Sequence, residues 1–371
     1  MKTLACVVGA RPNFMKIAPI LRLIETRSSL EAWLIHSGQH YNENLSGQFF
    51  HDLGLRQPDE NLNVGSGSHA VQTARMMTAL DISFDNRRPD ALLVVGDINS
   101  TLASALVAVK RGIPVIHIES GLRSFDRTMP EEINRLLTDR MSDLLFVTEP
   151  SGVENLLAEG IDENRIHLVG NVMIDSLFHA RERAIPAQTT IARAQHGGHE
   201  KIIEDGRYAL LTLHRPANVD DPSILKPLMA AITEIAEVLP VVFPVHPRTR
   251  EALDRSAFVG EQTGRNLIMT DPVSYLEMVG LLQDAALVLT DSGGLQEEST
   301  ALGIPCLTLR DNTERPITVS VGTNEIVGNR PQELRAAFDR FMSGQRKTGA
   351  VPAMWDGNAA ARITEIIENW I

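Results

Sequence analysis

Three carboxylates stand where strand-like runs end or a helix begins in the first half of the chain. Asp97 follows one apolar run by two residues, Glu119 directly ends another, and Glu131 lies in the first turn of a segment that starts at Pro130. Because ligands in open parallel sheets bind beyond the carboxyl ends of the strands, we expect these side chains at one end of one sheet, where crowding creates distinct acids and bases. Helix capping by Asp97 and ordinary first-turn chemistry for Glu131 are the structural alternatives. His117, two positions before Glu119, is interpreted as a satisfied core histidine.

Two cations follow the first apolar run of the chain. Arg11 and Lys16 lie where a helix is predicted to begin. The turn is not G-x-G-x-x-G, because Pro12 stands where the second glycine would be, so a dinucleotide cofactor is not expected there. A cation near a helix N-terminus is unfavourable unless an anion joins it, and the turn is therefore interpreted as a candidate anion site. Solvated surface charges are the alternative.

A phosphate cradle is predicted in the second half, where a buried strand breaks and a helix starts. Ser292, Gly293 and Gly294 stand at that break, and two glycines let backbone N–H groups approach a phosphate. The alternative is a plain helix cap by Ser292. Glu298, about one turn into the helix, could hold the vicinal hydroxyls of a ribose, or be a solvated glutamate.

Two further side chains complete the predicted site. His214 ends the strand-like run that starts at Tyr208, and a structural role for it stays equally open. Arg315 follows a later strand and could neutralise a diphosphate. These patterns predict a nucleoside diphosphate held in a cleft between two domains, with acid–base chemistry on its attached group. The sequence shows neither a phosphate-loop lysine motif nor a cluster of metal ligands, so neither a metal nor a cofactor is expected.

The elements that must position these residues alternate between short apolar runs and longer amphipathic segments. Apolar runs without polar alternation, separated by helices, predict parallel sheets covered on both faces. The order starts again after residue 206, so the fold class is α/β with two Rossmann-like domains facing across a cleft, residues 1–184 and 207–355. The hinge is placed at 185–206, and a last helix is predicted at 358–371.

Composition excludes several classes of protein. The 371 residues carry 35 basic and 47 acidic side chains, a net charge of −12, which argues against nucleic acid or an anionic membrane as partner. The two cysteines, Cys6 and Cys306, lie in apolar runs, which excludes a disulfide scaffold and fits a cytoplasmic location. No apolar stretch is long enough to span a membrane, and the first run is interpreted as a strand, not as a signal peptide.

Motifs along essentially the whole chain resemble those of the non-hydrolysing UDP-N-acetylglucosamine 2-epimerases. They are GARPNFMKIAP, GQHY, GDINSTLA, HIESGLRS, MPEEINR, GNVMID, LTLHRP, PVHPRT, TDSGGLQEE, DNTERP and DGNAAARI. The resemblance implies a glycosyltransferase-B-like arrangement, a last helix that returns to the first domain, and a homodimer. It also implies epimerisation of a UDP-sugar at C2, by elimination of UDP to a 2-acetamidoglucal and re-addition.

The resemblance also implies a role for each matching residue. Catalytic roles fall on Asp97, Glu119, Glu131 and His214. Contacts with UDP fall on Arg11, Lys16, Val273, Ser292, Gly293, Gly294, Glu298 and Arg315. Val273 is expected to contribute its backbone to the uracil pocket, because its side chain has no polar atom.

Some positions depart from the family pattern. Asn13 stands where many bacterial members have Glu. Regulated members bind a second substrate molecule through a Gln pair and an Arg; Gln39 matches, but Asn42 and His69 stand at the other two positions. We therefore expect hyperbolic kinetics. Similar motifs occur in enzymes that hydrolyse the UDP-sugar and in enzymes acting on UDP-2,3-diacetamido uronic acids, so these two reactions stay open.

Overall fold

The chain divides into two compact units. The computed structural model describes residues 1–27, 29–38, 50, 52–194, 207–256, 258 and 266–371, with only the backbone of Arg11. The first unit comprises Met1–Phe178 and Ala353–Ile371, and the second comprises His179–Pro352. Residues 195–206 of the predicted hinge lie outside the described residues, as do Gln39 and Asn42. None of the helices in the described ranges is both long and apolar enough to cross a membrane.

The first unit is built on a parallel sheet. Its strands are β1 (Lys2–Val8), β2 (Leu30–His36), β3 (Glu60–Asn61), β4 (Ala91–Val95), β5 (Val115–Ser120), β6 (Leu144–Val147) and β7 (Ile166–Leu168). They pair in the order β3-β2-β1-β4-β5-β6-β7. Strands β4, β5 and β6 are buried along their whole length, which explains why their sequences lack polar alternation.

The helices of this unit follow the strands in alternation. They are α1 (Arg11–Glu25), α2 (His69–Asn86), α3 (Asn99–Lys110), α4 (Pro130–Met141), α5 (Pro150–Ala158), α6 (Val172–Arg181) and, at the end of the chain, α15 (Ala359–Trp370). Helix α15 packs against α1. The Asp175 carboxylate on α6 accepts hydrogen bonds from the backbone N–H groups of Ala359 and Ala360, at 3.2 and 2.8 Å, and so fixes the start of α15.

The second unit repeats this plan. Its strands are β8 (Ala209–Thr212), β9 (Val241–Pro244), β10 (Leu267–Thr270), β11 (Leu287–Thr290), β12 (Cys306–Thr308) and β13 (Asn324–Ile326). Its helices are α7 (Ala187–Ile191), α8 (Pro216–Val219), α9 (Pro222–Val238), α10 (Pro247–Arg255), α11 (Tyr275–Gln283), α12 (Gly293–Ala301), α13 (Pro316–Ser320) and α14 (Pro331–Met342). Asp221 caps α9 by accepting from the N–H of Ser223 at 2.8 Å, and the helix runs through Pro227.

Both sheets reverse their strand order at one point. The second sheet runs β10-β9-β8-β11-β12-β13, and all of its recorded strand pairs are parallel. This is the strand order of the doubly wound Rossmann fold, so the predicted fold class of two Rossmann-like α/β units is confirmed. The reversals lie between β1 and β4 and between β8 and β11. Ligands of such sheets bind beyond the carboxyl ends of the strands at this reversal.

Candidate active site

A buried ion pair lies at the carboxyl end of the first sheet. Lys16 on α1 contacts the Glu119 carboxylate at the end of β5, and both residues are less than a tenth exposed. Glu119 has a φ of 68°, and the pairing of β5 with β6 shifts register between Ile118 and Ser120. A left-handed conformation is costly for a residue with a side chain, and such irregularities cluster where a side chain must be re-aimed at a site. The position of the Glu119 side chain therefore depends on a strained backbone conformation, which the sequence analysis did not predict.

Gly96 forms the backbone beneath this pair. Its φ is 66°, and a Cβ there would lie 3.0 Å from the Lys16 ammonium nitrogen. Asn13 lies beside it, donating from Nδ2 to the Val95 carbonyl at 2.7 Å and accepting from the Ala10 N–H at 3.2 Å. A glutamate at position 13 would lack the donor that holds α1 to the end of β4. This contact gives the Asn13 departure a structural reason.

Asp97 is held by helix α4. Arg135 contacts Asp97 Oδ2 through Nη2 at 2.7 Å and Glu132 Oε2 through Nη1 at 2.7 Å. Asn134 donates to the backbone carbonyl of Asp97 at 2.8 Å. Burial alone would raise the pKa of Glu132, but hydrogen bonds from Ser124, Arg135 and the loop backbone hold that pKa below its ordinary value. Glu132, which the sequence analysis missed, thus stays ionised and fixes Arg135 against Asp97.

Glu131 has a different environment, one residue earlier on the same helix. It is half-buried, and its carboxylate makes no hydrogen bond or ion pair with any side chain that the structure describes. The carboxyl end of this sheet therefore presents three acids in three settings. Glu119 is paired with a lysine, Asp97 is paired with an arginine and is about a quarter exposed, and Glu131 has neither partner within the described part of the chain. The three acids thus differ in ion-pair partner, and Asp97 is more exposed than Glu119.

The start of helix α12 is open in the second unit. Ser292 is the N-cap residue, but its hydroxyl makes no capping hydrogen bond, so the interpretation as a plain cap is wrong. A Cβ on Gly293 would meet no described atom within 4 Å, and one on Gly294 would meet only Ser292 Oγ, at 4.0 Å. The backbone N–H groups of the first turn are therefore accessible to the oxygens of an anion.

A histidine–aspartate pair lies beside this helix start. His214 Nδ1 is 3.0 Å from Asp291 Oδ1, and the Asp291 carboxylate also accepts from the backbone N–H groups of His214 and Arg215. Burial would raise the pKa of Asp291, but these hydrogen bonds and the His214 charge hold it below its ordinary value. The ionised Asp291 accepts a hydrogen bond from Nδ1, so Nε2 is the ring nitrogen that could contact a ligand. Asp291, which ends the buried run before Ser292, was not recognised from the sequence.

Glu298 is buried, so its interpretation as a solvated glutamate is wrong. It is 3% exposed, and Tyr275, the first residue of α11, donates its hydroxyl to Glu298 Oε1 at 3.1 Å. Burial, with a further contribution from the charge of Glu297, raises the pKa of Glu298 to about 7. Val273, two residues before Tyr275, is half-buried and packs its side chain against the core of this unit.

Arg315 is paired within the second unit. Its Nε lies 2.6 Å from Glu297 Oε1, and Glu297 is almost fully buried on α12. The backbone N–H of Arg315 donates to Thr313 Oγ1 at 3.0 Å, and Thr313 in turn donates to Gln296 Oε1 at 2.6 Å. These contacts tie the loop of Arg315 to the first turns of α12.

The predicted site residues thus form two groups. The first unit carries Lys16, Asp97, Glu119 and Glu131, of which Lys16 and Glu119 are in direct contact, and the second carries His214, Ser292, Gly293, Gly294, Glu298 and Arg315. The side chain of Arg11 lies outside the described residues. His69, at the start of α2, has its Nδ1 3.0 Å from Asn99 Nδ2.

Comparisons with known proteins match this chain to one family. Residues 22–368 match the family model for UDP-N-acetylglucosamine 2-epimerase. The UDP-N-acetylglucosamine 2-epimerase of Methanococcus maripaludis is 40% identical over 370 residues, which cover 99% of this chain and 98% of that protein. The UDP-2,3-diacetamido-2,3-dideoxy-D-glucuronate 2-epimerase of Pseudomonas aeruginosa is also 40% identical, covering 97% of this chain and 98% of that protein.

A solved structure gives the same result. The crystal structure of Methanocaldococcus jannaschii UDP-GlcNAc 2-epimerase, in complex with UDP-GlcNAc and UDP, matches with a TM-score of 0.84 at 40% identity and covers 99% of each chain. Matches of this identity and coverage extend through both units. The chain therefore belongs to the UDP-N-acetylglucosamine 2-epimerase family.

Proposed function

We propose that this protein is a non-hydrolysing epimerase that interconverts UDP-N-acetylglucosamine and UDP-N-acetylmannosamine at C2 without an added cofactor. The observation that carries the proposal is the set of three acids at the carboxyl end of the first sheet, each in a different setting. Moving a proton between two faces of a carbon needs one group that removes it and another that returns it. Family membership supports the nucleotide-sugar as the substrate class.

The proposed reaction has two stages. A carboxylate among Asp97, Glu119 and Glu131 takes the C2 proton, the C1–O bond to the diphosphate breaks with its electron pair leaving on UDP, and a 2-acetamidoglucal remains. In the second stage a UDP oxygen adds back to C1, and another acid returns a proton to the opposite face of C2. The two stages together conserve all atoms and need no oxidant, in agreement with a site built from proton-transfer groups.

The second unit supplies the groups for UDP in this proposal. The amides at Ser292–Gly294 and the guanidinium of Arg315 would stabilise the charge of the departing diphosphate, joined by Arg11 and Lys16 from the first unit. His214 would exchange protons through Nε2, since Asp291 occupies Nδ1. Glu298 would accept the ribose hydroxyls, and the backbone at Val273 would contact uracil. A homodimer and a cytoplasmic location belong to the same proposal and rest on the family resemblance and on two unpaired, buried cysteines.

Solvent isotope exchange tests the reaction. Turnover of UDP-N-acetylglucosamine in deuterium oxide, with a chelator and no added cofactor, should give UDP-N-acetylmannosamine that carries deuterium at C2. Asp97→Asn and Glu131→Gln should each lower kcat by ~10²–10⁴-fold while UDP still binds. A product without deuterium would contradict proton exchange at C2. Free sugar and UDP as the only products would show hydrolysis instead.

A second substrate is supported by one specific comparison. The Pseudomonas aeruginosa relative, which is named for a diacetamido glucuronate, is as similar to this chain as the named UDP-N-acetylglucosamine epimerase. Separate measurements of kcat/KM with the two UDP-sugars decide between them. A larger kcat/KM for the UDP-2,3-diacetamido uronic acid would show that it is the preferred substrate. The proposed chemistry at C2 would be the same.

A further inference from the structure

His117 lies directly beneath the proposed proton-transfer groups and contacts two acceptors at once. Its side chain is fully buried on β5, with Nδ1 2.7 Å from Asp139 Oδ1 and Nε2 2.8 Å from the carbonyl oxygen of Gly96. A carbonyl oxygen can only accept, so Nε2 carries a proton. With both nitrogens occupied and no exposed surface, the ring cannot touch a substrate.

Asp139 contacts the second ring nitrogen. Its carboxylate also accepts from the Gly121 N–H at 3.0 Å and from Arg123 at 2.7 Å. Burial alone would raise the pKa of Asp139, but the contacts with His117 and Arg123 hold it below its ordinary value, so the group is ionised. An ionised carboxylate can only accept, so the His117 ring is held between the Asp139 carboxylate and the Gly96 carbonyl.

Arg123 extends this network to a second carboxylate. Arg123 contacts the Glu159 carboxylate through Nε at 2.7 Å and Nη2 at 2.8 Å, continuing the series from His117 through Asp139. Glu159 is exposed, but Asp139 and Arg123 are buried, and buried ion pairs are often no more stable than well-packed apolar side chains of the same volume. Stability alone therefore does not account for this network. Its other end is the hydrogen bond from His117 to the Gly96 carbonyl.

Gly96 joins the strand ends that carry two of the proposed catalytic acids. Its N–H donates to the Ile118 carbonyl at 3.1 Å, and its carbonyl accepts from His117, so both of its backbone groups are tied to β5. Ile118 immediately precedes Glu119, and Gly96 immediately precedes Asp97. The two hydrogen bonds therefore lock the turn of Asp97 to the irregular end of β5 at Glu119.

We propose that His117, held by Asp139, is a positioning residue that fixes the Asp97 turn against Glu119 through the Gly96 carbonyl. The inference rests on the proposed function, because it assigns the purpose of the network to proton transfer at C2. Transfer rates depend steeply on geometry, and a displacement of about 1 Å in a catalytic group can cost about 10²-fold in rate.

Two amide variants separate the two nitrogens of the ring. His117→Gln places its amide nitrogen near the position of Nε2 and keeps the donor to Gly96, whereas His117→Asn keeps only the donor to Asp139. Both replace the same buried ring by a neutral amide, so each is the control for the other. We expect kcat to fall about 10²-fold in His117→Asn and less than about 10-fold in His117→Gln, with equal thermal stability and unchanged UDP affinity by calorimetry.

An equal loss of kcat in the two variants, or a loss that follows their stability, would overturn the proposal. If neither variant folds, neutron diffraction from wild-type crystals decides, because it locates deuterium on each ring nitrogen. Deuterium on Nε2 of His117 supports the proposal, and its absence from Nε2 overturns it. Failure of the proposed function would appear in the wild-type protein, as products that lack the epimer, and is therefore distinguishable from failure in these variants.

Discussion

A methyl group added at Gly96 should disturb the proposed catalytic pair, and a second glycine provides a matched control. Gly96 and Gly112 both lie in the first unit with nearly equal left-handed φ values, 66° and 63°. A Cβ on Gly96 would lie 3.0 Å from Lys16 Nζ, 3.3 Å from Asn13 Nδ2 and 3.4 Å from Glu119 Oε2, whereas one on Gly112 would meet nothing within 4 Å. The two alanine variants thus share a backbone cost and differ in the displacement of Lys16 and Asn13.

The size of each effect follows from these contacts. The left-handed backbone should cost each variant about 1–2 kcal/mol in the free energy of unfolding, which shifts Tm by about 2–4 °C per kcal/mol for a unit of this size. In Gly96→Ala the Lys16 ammonium and the Asn13 amide must also move by a few tenths of an ångström, which displaces Lys16 from Glu119. We expect kcat to fall about 10-fold or more in that variant, in line with the sensitivity of proton transfer to geometry.

The assay is steady-state epimerisation by both variants, with thermal unfolding measured alongside. Gly112→Ala should keep the wild-type kcat at a lowered Tm, and Gly96→Ala should lose activity at a similar Tm. A Gly96→Ala protein with wild-type kcat would refute the reasoning, since the Lys16–Glu119 geometry would then have no role in the slow step. Equal losses in both variants would assign the effect to backbone strain alone.

Three further predictions concern the second unit and the last helix. Gly294→Ala should weaken UDP binding by about 10-fold or more, because its methyl group blocks access to the α12 amides. Its stability should not fall, because alanine favours a helix. Calorimetry measures the UDP affinity, and thermal unfolding measures the stability. The pKa of Glu298 is raised to about 7, so its carboxylate becomes a better acceptor for the ribose hydroxyls as pH rises, and UDP affinity should increase from pH 6 to 8. The pH dependence of UDP affinity in Glu298→Gln is the control, because it contains the titration of UDP itself. If affinity changed equally with pH in both proteins, the ribose assignment would be contradicted. Burial raises the pKa of Asp175 from 3.8 to about 6, so its ionisation should remove up to about 3 kcal/mol of stability as pH rises from 4 to 7. Denaturant unfolding should show Asp175→Asn gaining on wild type across that interval, and a constant difference would exclude this cause.

The sequence was sufficient for features that depend on local pattern. Strands such as β4 could be predicted because burial on both faces removes the polar alternation, and the start of α9 because Asp221 and Pro222 form a recognisable helix start. The turn at Ser292 could be predicted because two adjacent glycines after a buried strand have few other uses. Each of these signals lies within a few neighbouring residues.

Partners that are distant in sequence could not be predicted in the same way. Asp291 contacts His214 across 77 residues, and Asp139 contacts His117 across 22, so no local pattern connects either pair. The left-handed backbone of Glu119 was also hidden, because a glutamate rarely adopts it and only the packing around β5 imposes it. The sequence around Glu298 does not indicate its burial, because its hydrogen-bond partner Tyr275 is 23 residues away in the chain.

The two strand-order reversals use the same topology for different chemistry. At the reversal between β1 and β4, Pro12 and the Asn13 side chain occupy the start of α1. The charge at this reversal is therefore set by ionisable side chains such as Lys16 and Glu119. At the second, α12 has no side-chain cap, and its glycines leave backbone N–H groups facing open space. Backbone amides suit a diphosphate, which needs fixed donors and no proton exchange, whereas epimerisation needs groups that gain and lose protons. Side-chain substitutions should therefore act mainly on turnover in the first unit, and glycine substitutions mainly on nucleotide affinity in the second.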